Sequence, residues 1–502
     1  MLLLVLSGVL MLTAAFSGVR MLLGHNIESY AAESLAAAAM IGGIIGCIGW
    51  ASTGRATGAI GRREALLLVA LSWVLGAGLA AAPYRIWAAL SPRAGDGHPF
   101  ASSVNCYFET MSGLTTTGAT ILSEIESLPQ SILLWRALTH WLGGLGIVVL
   151  FVAVLPSLGV GGKKLYRVEA PGPSPEGLSP QIRETARALW YIYLGMTSLQ
   201  IVALCLAGMS WFDSMCHTFA TMATGGFSTR NASVGAYDSA VIDTILIVFM
   251  FLAGMNFGLF HQAMNGRLSV LWKDTELRFY ALLVGGGATI VAVSLLNQPI
   301  TMTTGDEVGP STADAIRQGV FTTVSVQTTT GFCTSDFNRW PDIAKCVLVG
   351  LMFVGGCAGS TGGGIKVIRI WIMLKILVAE LERAFRPRVM RPIKIGDSVI
   401  DDDLKQGTLV FVLGIVLIFA AGSVSILLLE NGYSDCDYIT ASTASVATLC
   451  TIGPGLNRVG AIENYGWFTD ASKSVMCLLM LIGRLEIFAI AVLFSPRFWR
   501  GD

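Results

Sequence analysis

The amino-acid sequence predicts an all-α polytopic membrane protein, in which four tandem helical repeats follow two extra N-terminal transmembrane helices. Three observations predict this fold class. Of the 502 residues, 53% are hydrophobic and only 13% are charged, whereas soluble domains carry roughly a quarter charged residues. Long apolar windows recur along the chain, and a Thr-x-Gly motif recurs four times between them. A cytosolic multidomain protein is thereby excluded.

Composition and spacing exclude several functional classes as well. The 33 basic residues equal the 33 acidic ones, which leaves no basic footprint for a nucleic-acid partner. The ten cysteines form no C-x-x-C pair, so neither a disulfide framework nor a zinc site is indicated. The five histidines fall in no metal-ligand spacing, and the sequence contains neither a P-loop nor a nucleophile elbow. We therefore expect a protein that is not an enzyme and holds no covalent cofactor.

Ten apolar windows have the length of about 20 residues that a helix needs to cross the bilayer core. They lie near 2–23, 34–53, 65–90, 132–160, 185–208, 240–265, 277–297, 343–378, 406–430 and 473–496. The first begins at the initiator methionine without a positive region before it, so we predict a retained helix and not a cleaved signal peptide. With the N-terminus in the cytoplasm, most of the 33 basic residues fall in inner loops, and the C-terminus is then cytoplasmic too.

After the first two windows, the remaining eight form pairs, and a long connection on the outer side joins the members of each pair. These connections are half apolar, although a solvated loop would be polar. Each contains a segment of about 12–17 residues, which is too short to span the bilayer and is typical of a re-entrant segment. The stretches that contain these segments and the motifs after them are 98–120, 211–231, 312–332 and 435–455.

Each re-entrant segment ends in the same short motif. The four endings read Thr116-Thr117-Gly118-Ala119, Thr224-Gly225-Gly226-Phe227, Thr329-Thr330-Gly331-Phe332 and Thr451-Ile452-Gly453-Pro454. Recurrence about every 110 residues indicates an internal repeat. The predicted units are two N-terminal helices (1–60), repeat 1 (61–165, motif 115–120), repeat 2 (166–268, motif 223–228), repeat 3 (269–385, motif 328–333) and repeat 4 (386–502, motif 450–455).

The repeated motif predicts a cation site. Irregular backbone at membrane depth is tolerated where it is buried in protein or lines a water-filled cavity, and glycine permits the dihedral angles that turn successive carbonyls toward one axis. Four such loops around an axis form a ring of oxygens that can replace the hydration shell of a cation. The negative C-terminal ends of the half-helices favour a cation there. The alternative is four tight turns that cap short interfacial helices.

Acidic residues lie near the starts of three half-helices, where a negative charge complements the positive helix end. These residues are Asp213, Asp314 and Asp437. The first repeat has Ser102 or Ser103 at that place. Glu109 lies inside the first half-helix and has two open interpretations: it draws cations to the mouth, or it hydrogen-bonds neighbouring backbone.

The window 343–378 is too long for one transmembrane helix. As a continuous helix it would measure about 54 Å, well beyond the bilayer core. Its centre contains six glycines, Gly355, Gly356, Gly359, Gly362, Gly363 and Gly364. We predict that the helix breaks there into an intramembrane loop (355–364) that lies under the cation site and can obstruct ions. A straight helix with glycine-mediated packing is the alternative.

Arg484 lies in the middle of the last window, and ionisable residues at membrane depth normally face a cavity or a partner. Each inner helix has a glycine at a comparable distance past its motif: Gly143, Gly254, Gly355 and Gly483. Arg484 follows the last of these and is therefore predicted at the level of the helix break. There its charge would oppose cation passage. The alternative, compatible with the first, is a salt bridge or bonds to the loop carbonyls that hold the loop in place.

The sequence resembles the TrkH/KtrB family of potassium-translocating membrane subunits over essentially its whole length. The pieces that carry the resemblance are TTTGAT (115–120), ATGGFSTRN (223–231), QTTTGF (327–332), GGCAGSTGGGIKVIR (355–369) and GRLEIFAIAVLFSPRFWR (483–500). The two extra N-terminal windows resemble the TrkH branch. In the fourth motif, Cys450 and Thr451 depart from the asparagine-rich sequence common in the family.

The resemblance implies four helix–pore-loop–helix repeats around a pseudo-fourfold pore, paired as a homodimer in the bacterial inner membrane. It implies that K+ ions bind the backbone carbonyls of the four motifs, and that the glycine-rich segment and Arg484 gate the pore. It also implies a cytosolic regulatory subunit of the TrkA type, which binds nucleotides such as NAD and ATP. This partner is expected on the basic loops 161–187, 266–278 and 380–405. The predicted function is K+ uptake through a channel-like pore; the alternative is a Na+- or H+-coupled K+ symporter.

Overall fold

A computed structural model describes residues 2–53, 62–92, 94–95, 97–153, 178–387, 393–396 and 398–500. These residues are helical almost throughout, because long apolar segments at membrane depth must satisfy their backbone polar groups internally. Two short antiparallel hairpins are also present. One pairs Ile300–Thr301 with Glu307–Val308, and the other pairs Lys394–Ile395 with Ser398–Val399.

The N-terminal pair of helices, Leu2–Leu22 and Ser29–Thr53, packs on the first repeat. Glu28, at the turn between them, is fully buried. Its carboxylate accepts hydrogen bonds from the backbone N–H of Gln130 (2.9 Å) and from the hydroxyls of Ser131 and Ser17. This carboxylate therefore anchors the pair to the start of the first inner helix.

Each of the four repeats contains an outer helix, a half-helix and an inner helix. The outer helices are Arg62–Leu90, Leu178–Leu206, Thr275–Leu295 and Asp402–Glu430. The half-helices are Ser103–Leu114, Trp211–Met222, Thr312–Gln327 and Tyr438–Leu449. The inner helices are Gln130–Ala153, Ala240–Ala253, Asp342–Phe353 and Asp470–Leu485. Further helices after the inner ones are Phe257–Met264, Ser269–Lys273, Val367–Phe385, Ile487–Ala491 and Pro496–Arg500.

The half-helices begin at side-chain caps, which satisfy backbone N–H groups that have no partner in the first turn. The capping residues are Ser102, Ser210, Ser311 and Asp437. Thus Ser102, and not Ser103, is the cap in the first repeat. Asp213 and Asp314 lie within the first turns of their half-helices, where their charge complements the helix dipole.

The four repeats close into a ring. Every half-helix packs against the outer and inner helices of its own repeat, and also against the inner helix of the preceding repeat. The first half-helix completes the cycle, because it packs against the fourth inner helix, Asp470–Leu485. The half-helices thus occupy equivalent positions around one axis, and the protein is a pseudo-fourfold, all-α membrane protein.

The inner helices are less continuous than the ten candidate windows suggested, of which only 343–378 was predicted to break. Among the residues that the structure describes, six helices are each long and apolar enough to cross a bilayer, and the pair Ala240–Ala253 and Phe257–Met264, bent by 93°, gives a seventh. The remaining windows fall on the other inner helices. The first of these is described only as far as residue 153. The third is interrupted between Phe353 and Val367, and the fourth ends at Leu485.

Within the described residues, interruptions therefore occur in three repeats, whereas the sequence predicted one. In the second repeat, the side chain of Asn256 caps a new helix by accepting the N–H of Gly258 (2.8 Å). In the fourth, Glu486 has a φ of 63°, which a right-handed helix cannot accommodate. The sequence did not predict these two breaks, because the windows 240–265 and 473–496 have the ordinary length of a membrane span.

Candidate functional site

The four Thr-x-Gly motifs, called tips because they end the re-entrant half-helices, share one backbone conformation. Thr116, Thr224, Thr329 and Thr451 all have φ values between 53° and 58°, and the glycines two positions later have φ values between 80° and 95°. Left-handed dihedrals are rare for a β-branched residue and cost roughly 1–3 kcal/mol each. The same strained residue type at the same place in all four repeats indicates that the surrounding structure imposes this turn.

A helix-terminating motif produces the turn. In each repeat the residue after the left-handed threonine donates its N–H, over 2.8 Å, to the carbonyl five positions earlier. The four donor–acceptor pairs are Thr117 to Ser112, Gly225 to Ala220, Thr330 to Ser325 and Ile452 to Ala447. This is the Schellman arrangement, in which a left-handed residue ends a helix and reverses the chain. Threonine occupies the position where glycine is usual.

The tips converge on a common centre. A Cβ atom built on Gly118 would overlap the carbonyl oxygen of Gly225 in the second tip. Equivalent overlaps join Gly226 to the carbonyl of Thr330, Gly331 to that of Ile452, and Gly453 to that of Thr117. Each glycine thus faces the carbonyl of the next repeat, and the fourth repeat faces the first. A cavity of about 100 Å³, lined by all four glycines and by residues that follow them, adjoins the ring.

The arrangement suits a cation without its water. Carbonyl oxygens of Thr117, Gly225, Thr330 and Ile452 come from equivalent positions, and the half-helices direct their partially negative C-terminal ends at the same place. Such a ring can replace the hydration shell of an alkali ion. All four left-handed threonines are fully buried, so the ring is held in packed protein and not at the lipid boundary.

A buried ion pair supports the first tip from behind. Glu109 is fully buried and accepts hydrogen bonds from the backbone N–H of Ile121 (2.9 Å), the hydroxyl of Thr120 (2.9 Å) and Nε of Arg136 (2.7 Å). Arg136 also donates to the carbonyl of Ser228 (3.1 Å). Of the two interpretations of Glu109, the structure therefore supports hydrogen bonding to neighbouring backbone. The pair joins the chain after the first tip to that after the second.

Two of the predicted acidic residues have a similar structural role. Asp213 accepts hydrogen bonds from the hydroxyl of Thr229 (2.6 Å) and from Arg230 (3.2 Å), which follow the second tip. Asp437 accepts from the side-chain amide of Asn457 (2.7 Å), which follows the fourth. These carboxylates tie the start of a half-helix to the chain that returns from its tip.

The predicted helix break is present, and its loop is anchored at both ends. The third inner helix ends at Phe353 and helix resumes at Val367. Oε1 of Glu276, on the third outer helix, accepts the N–H groups of Ala358 (2.7 Å) and Ile368 (3.1 Å). One carboxylate oxygen thus holds an early residue of the loop and the first turn of the following helix.

The loop lies against the inner side of the tips. The N–H of Gly363 donates to the hydroxyl of Thr329 (2.8 Å), and a Cβ on the same glycine would lie 2.7 Å from the carbonyl oxygen of Cys450. The hydroxyl of Thr361 donates to the carbonyl of Met222 (3.0 Å). The loop therefore touches the ends of the second, third and fourth half-helices.

Arg484 connects this loop to the remaining repeat. Its side chain is 3% exposed and donates to the carbonyl oxygens of Thr361 (2.8 Å) and Gly143 (3.1 Å). The neighbouring acid, Glu486, instead forms a salt bridge with Arg369 (2.9 Å). The predicted contact of Arg484 with the loop carbonyls is thus present, and within the described part of the chain its hydrogen bonds are to carbonyl oxygens and not to an acid.

Four ionisable residues that were not predicted from the sequence are buried near the tips or the loop: Arg136, Glu276, Lys366 and Arg369. The signal that singled out Arg484 was available for them, because each is an ionisable residue inside or beside an apolar window. Thr361 lies in the predicted loop, but its contact with Met222 depends on the loop conformation, which no local pattern specifies.

Comparisons with known proteins agree over nearly the whole chain. Residues 86–500 match a family model named TrkH and described as "Cation transport protein". The chain is 39% identical over 458 residues to the Trk system potassium uptake protein TrkH of Salmonella typhimurium, covering 91% of this chain and 90% of that protein. It is 41% identical over 442 residues to the TrkH protein of Halomonas elongata, covering 87% and 86%. The crystal structure of the potassium transporter TrkH from Vibrio parahaemolyticus matches with a TM-score of 0.83 and 33% identity over 99% of both chains.

Proposed function

This chain belongs to the TrkH family of cation transport proteins, and we propose that it takes up K+ through a channel-like pore with a four-loop Thr-x-Gly selectivity filter. The family resemblance in the sequence is thereby confirmed. In this proposal, the filter residues are the threonines, glycines and Ile452 at the four tips. An inside-negative membrane potential drives uptake, since it contributes about 2.3 kcal/mol per elementary charge for each 100 mV.

One observation carries the proposal: each filter glycine faces the carbonyl oxygen of the next repeat around a closed cycle of four. Isolated turns would have no reason to meet in this order. The names of the relatives from Salmonella typhimurium and Halomonas elongata, both potassium uptake proteins, identify K+ as the ion. The division into repeats at 61–165, 166–268, 269–385 and 386–502 is part of the same proposal.

The proposed gate is the glycine-rich loop together with Arg484. The loop contacts three half-helix ends on their inner side, and Arg484 bonds it to the carbonyl of Gly143 in the first repeat. A fixed positive charge under a cation filter raises the barrier to K+. Passage therefore requires the loop and Arg484 to move aside together.

We further propose that the protein works as a homodimer in the bacterial inner membrane, with both termini in the cytoplasm. A TrkA-type cytosolic partner would bind NAD or ATP and act on the gate through the basic loops 161–187, 266–278 and 380–405. Residues 161–177, 388–392 and 397 of these loops lie outside the described residues. The relatives' designation as members of a "Trk system" supports a multi-subunit assembly.

The proposal is tested by ion flux into liposomes that contain the purified protein, with K+ or Na+ as the only permeant cation and no proton gradient. Gly331→Ala is expected to reduce the K+ over Na+ preference, because the added methyl group displaces the carbonyl of Ile452. Gly305→Ala is the matched control: it has a similarly left-handed φ of 91°, but no atom lies within 4 Å of the new Cβ.

The proposed filter would be wrong if Gly331→Ala kept the wild-type preference in a folded protein. The same assay on wild-type protein separates a channel-like pore from the coupled symporter. K+ flux without a Na+ or proton gradient would support the pore. A flux that appears only when such a gradient is imposed would instead support symport.

A further inference from the structure

Each Thr-x-Gly segment forms one strand of the proposed filter. The second strand differs from the other three at the residue before its filter glycine. The residue before each filter glycine is Thr117, Gly225, Thr330 or Ile452, and its carbonyl oxygen belongs to the ring. Three of these residues have side chains that pack behind the strand. The second is a glycine and has no side chain to do so.

The side chains in the other repeats support the strands to which they belong. The hydroxyl of Thr117 pairs with that of Thr115 over 2.8 Å, and Thr330 pairs with Thr328 over the same distance. Ile452 is fully buried in an apolar cluster. Because each of these side chains fills the wall behind its carbonyl, the strand has little room to shift.

In the second repeat, the corresponding volume is filled by a histidine of the neighbouring repeat. A Cβ atom built on Gly225 would fall on Nδ1 of His140, which belongs to the first inner helix. His140 is fully buried, and its ring centroid lies 4.1 Å from that of Phe227 at an angle of 70°. Within the described part of the chain, neither ring nitrogen has a hydrogen-bond partner.

The pseudo-symmetry of the inner helices makes this histidine an exception. His140 lies three residues before Gly143, and the residues three positions before the equivalent glycines are Phe251, Met352 and Met480. These three residues are apolar, and the filter segments of the other repeats have a side chain before the filter glycine. The one inner helix with a histidine at this position is the one that contacts the segment without such a side chain.

We propose that His140 is a positioning residue that determines the ion preference of the second filter strand by replacing the side chain that Gly225 lacks. The inference rests on the proposed K+ filter. Arg136, one helical turn earlier, lies over the same Phe227 ring at 3.8 Å and bonds the carbonyl of Ser228. The first inner helix thus supports the second strand at several points. His140 is the contact at the level of the ring of carbonyl oxygens.

The backbone at Gly225 allows a direct test. Unlike Gly226, Gly225 does not have a left-handed φ, so the imidazole of His140 is the nearest obstacle to a side chain there. The repeats with Thr117 and Thr330 show that threonine fits this position of the motif. Gly225→Thr alone should therefore collide with His140, whereas His140→Ala should remove the obstacle.

The experiment measures the K+/Na+ flux ratio of the full-length protein in liposomes for both single variants and the double variant. His140→Ala should lower the ratio about tenfold, because it leaves a cavity behind the Gly225 carbonyl. Gly225→Thr should abolish K+ flux. The double variant should recover K+ flux and most of the wild-type ratio. The matched control is His261→Ala, which removes an exposed histidine and should leave the ratio unchanged.

Two results would overturn the inference: a wild-type ratio in His140→Ala, or a double variant no better than Gly225→Thr alone. A wild-type ratio together with equally lowered K+ and Na+ flux in His140→Ala would mean that His140 is only a folding contact. Each of these outcomes differs from failure of the K+ filter itself, in which wild-type protein would show no K+ preference for the variants to alter.

Discussion

At the residue scale, the four left-handed threonines show how the tips are held. Each lies at a helix end and has an unfavourable φ, with a cost of roughly 1–3 kcal/mol. Their surroundings compensate for this cost. The N–H that follows each threonine satisfies a terminal helix carbonyl, and the filter glycines abut the carbonyls of adjacent strands. The conformation is therefore a property of the assembled ring and not of a single loop.

The buried pair of Glu109 and Arg136 gives a stability prediction at the same scale. Glu109→Ala leaves Arg136 buried without its acid, and breaking a buried pair in this way costs about 3–5 kcal/mol. We expect a clearly lower midpoint of thermal unfolding in detergent. Glu463→Ala, at an exposed glutamate, should stay within about 0.5 kcal/mol of wild type. Equal midpoints for the two variants would contradict the structural role of Glu109.

The sequence located the tips but not the residues behind them. Thr-x-Gly could be recognised because it recurs in four places with helical segments before it. The left-handed threonines could not, since threonine disfavours that conformation and only the tertiary structure selects it. The contact of His140 with Gly225 was not predictable either, because the two residues lie in different repeats. Local patterns do not specify which helix packs behind which strand.

At the element scale, a few polar contacts hold the glycine-rich loop in place. Glu276 accepts the N–H of Ala358 in the loop and that of Ile368 in the helix that follows, and Arg484 donates to the carbonyl of Thr361. Excess helix length predicted this break. The breaks at Asn256 and Glu486 escaped prediction because their windows, 240–265 and 473–496, have the ordinary length of a membrane span.

Arg484→Ala is expected to raise basal K+ flux in liposomes about tenfold or more. It removes two hydrogen bonds from a charged donor, each contributing roughly 1.5–3 kcal/mol to the contact that holds the loop against the first repeat. The K+/Na+ ratio should be nearly unchanged, since the tips keep their contacts. The control is Arg339→Ala, whose side chain is 65% exposed. Unchanged basal flux in Arg484→Ala would show that the loop and the arginine do not limit permeation.

At the scale of the whole molecule, function depends on the order in which the repeats pack. Each half-helix lies between its own inner helix and the preceding one, and the first closes on the fourth. The sequence predicted the number of repeats because each contributes its own motif and apolar windows. The helix contacts between repeats became evident only in the structure, since surface complementarity and not hydrophobic periodicity determines them.

The most direct test is to locate the ion. Crystals grown with Rb+ or Tl+ in place of K+ would reveal these ions by anomalous scattering. We expect a peak on the pseudo-fourfold axis, among the carbonyl oxygens of Thr117, Gly225, Thr330 and Ile452. K+ should displace this peak, and an equal concentration of Na+ should not. Ordered ions found only outside this ring, with none between the four tips, would contradict the account.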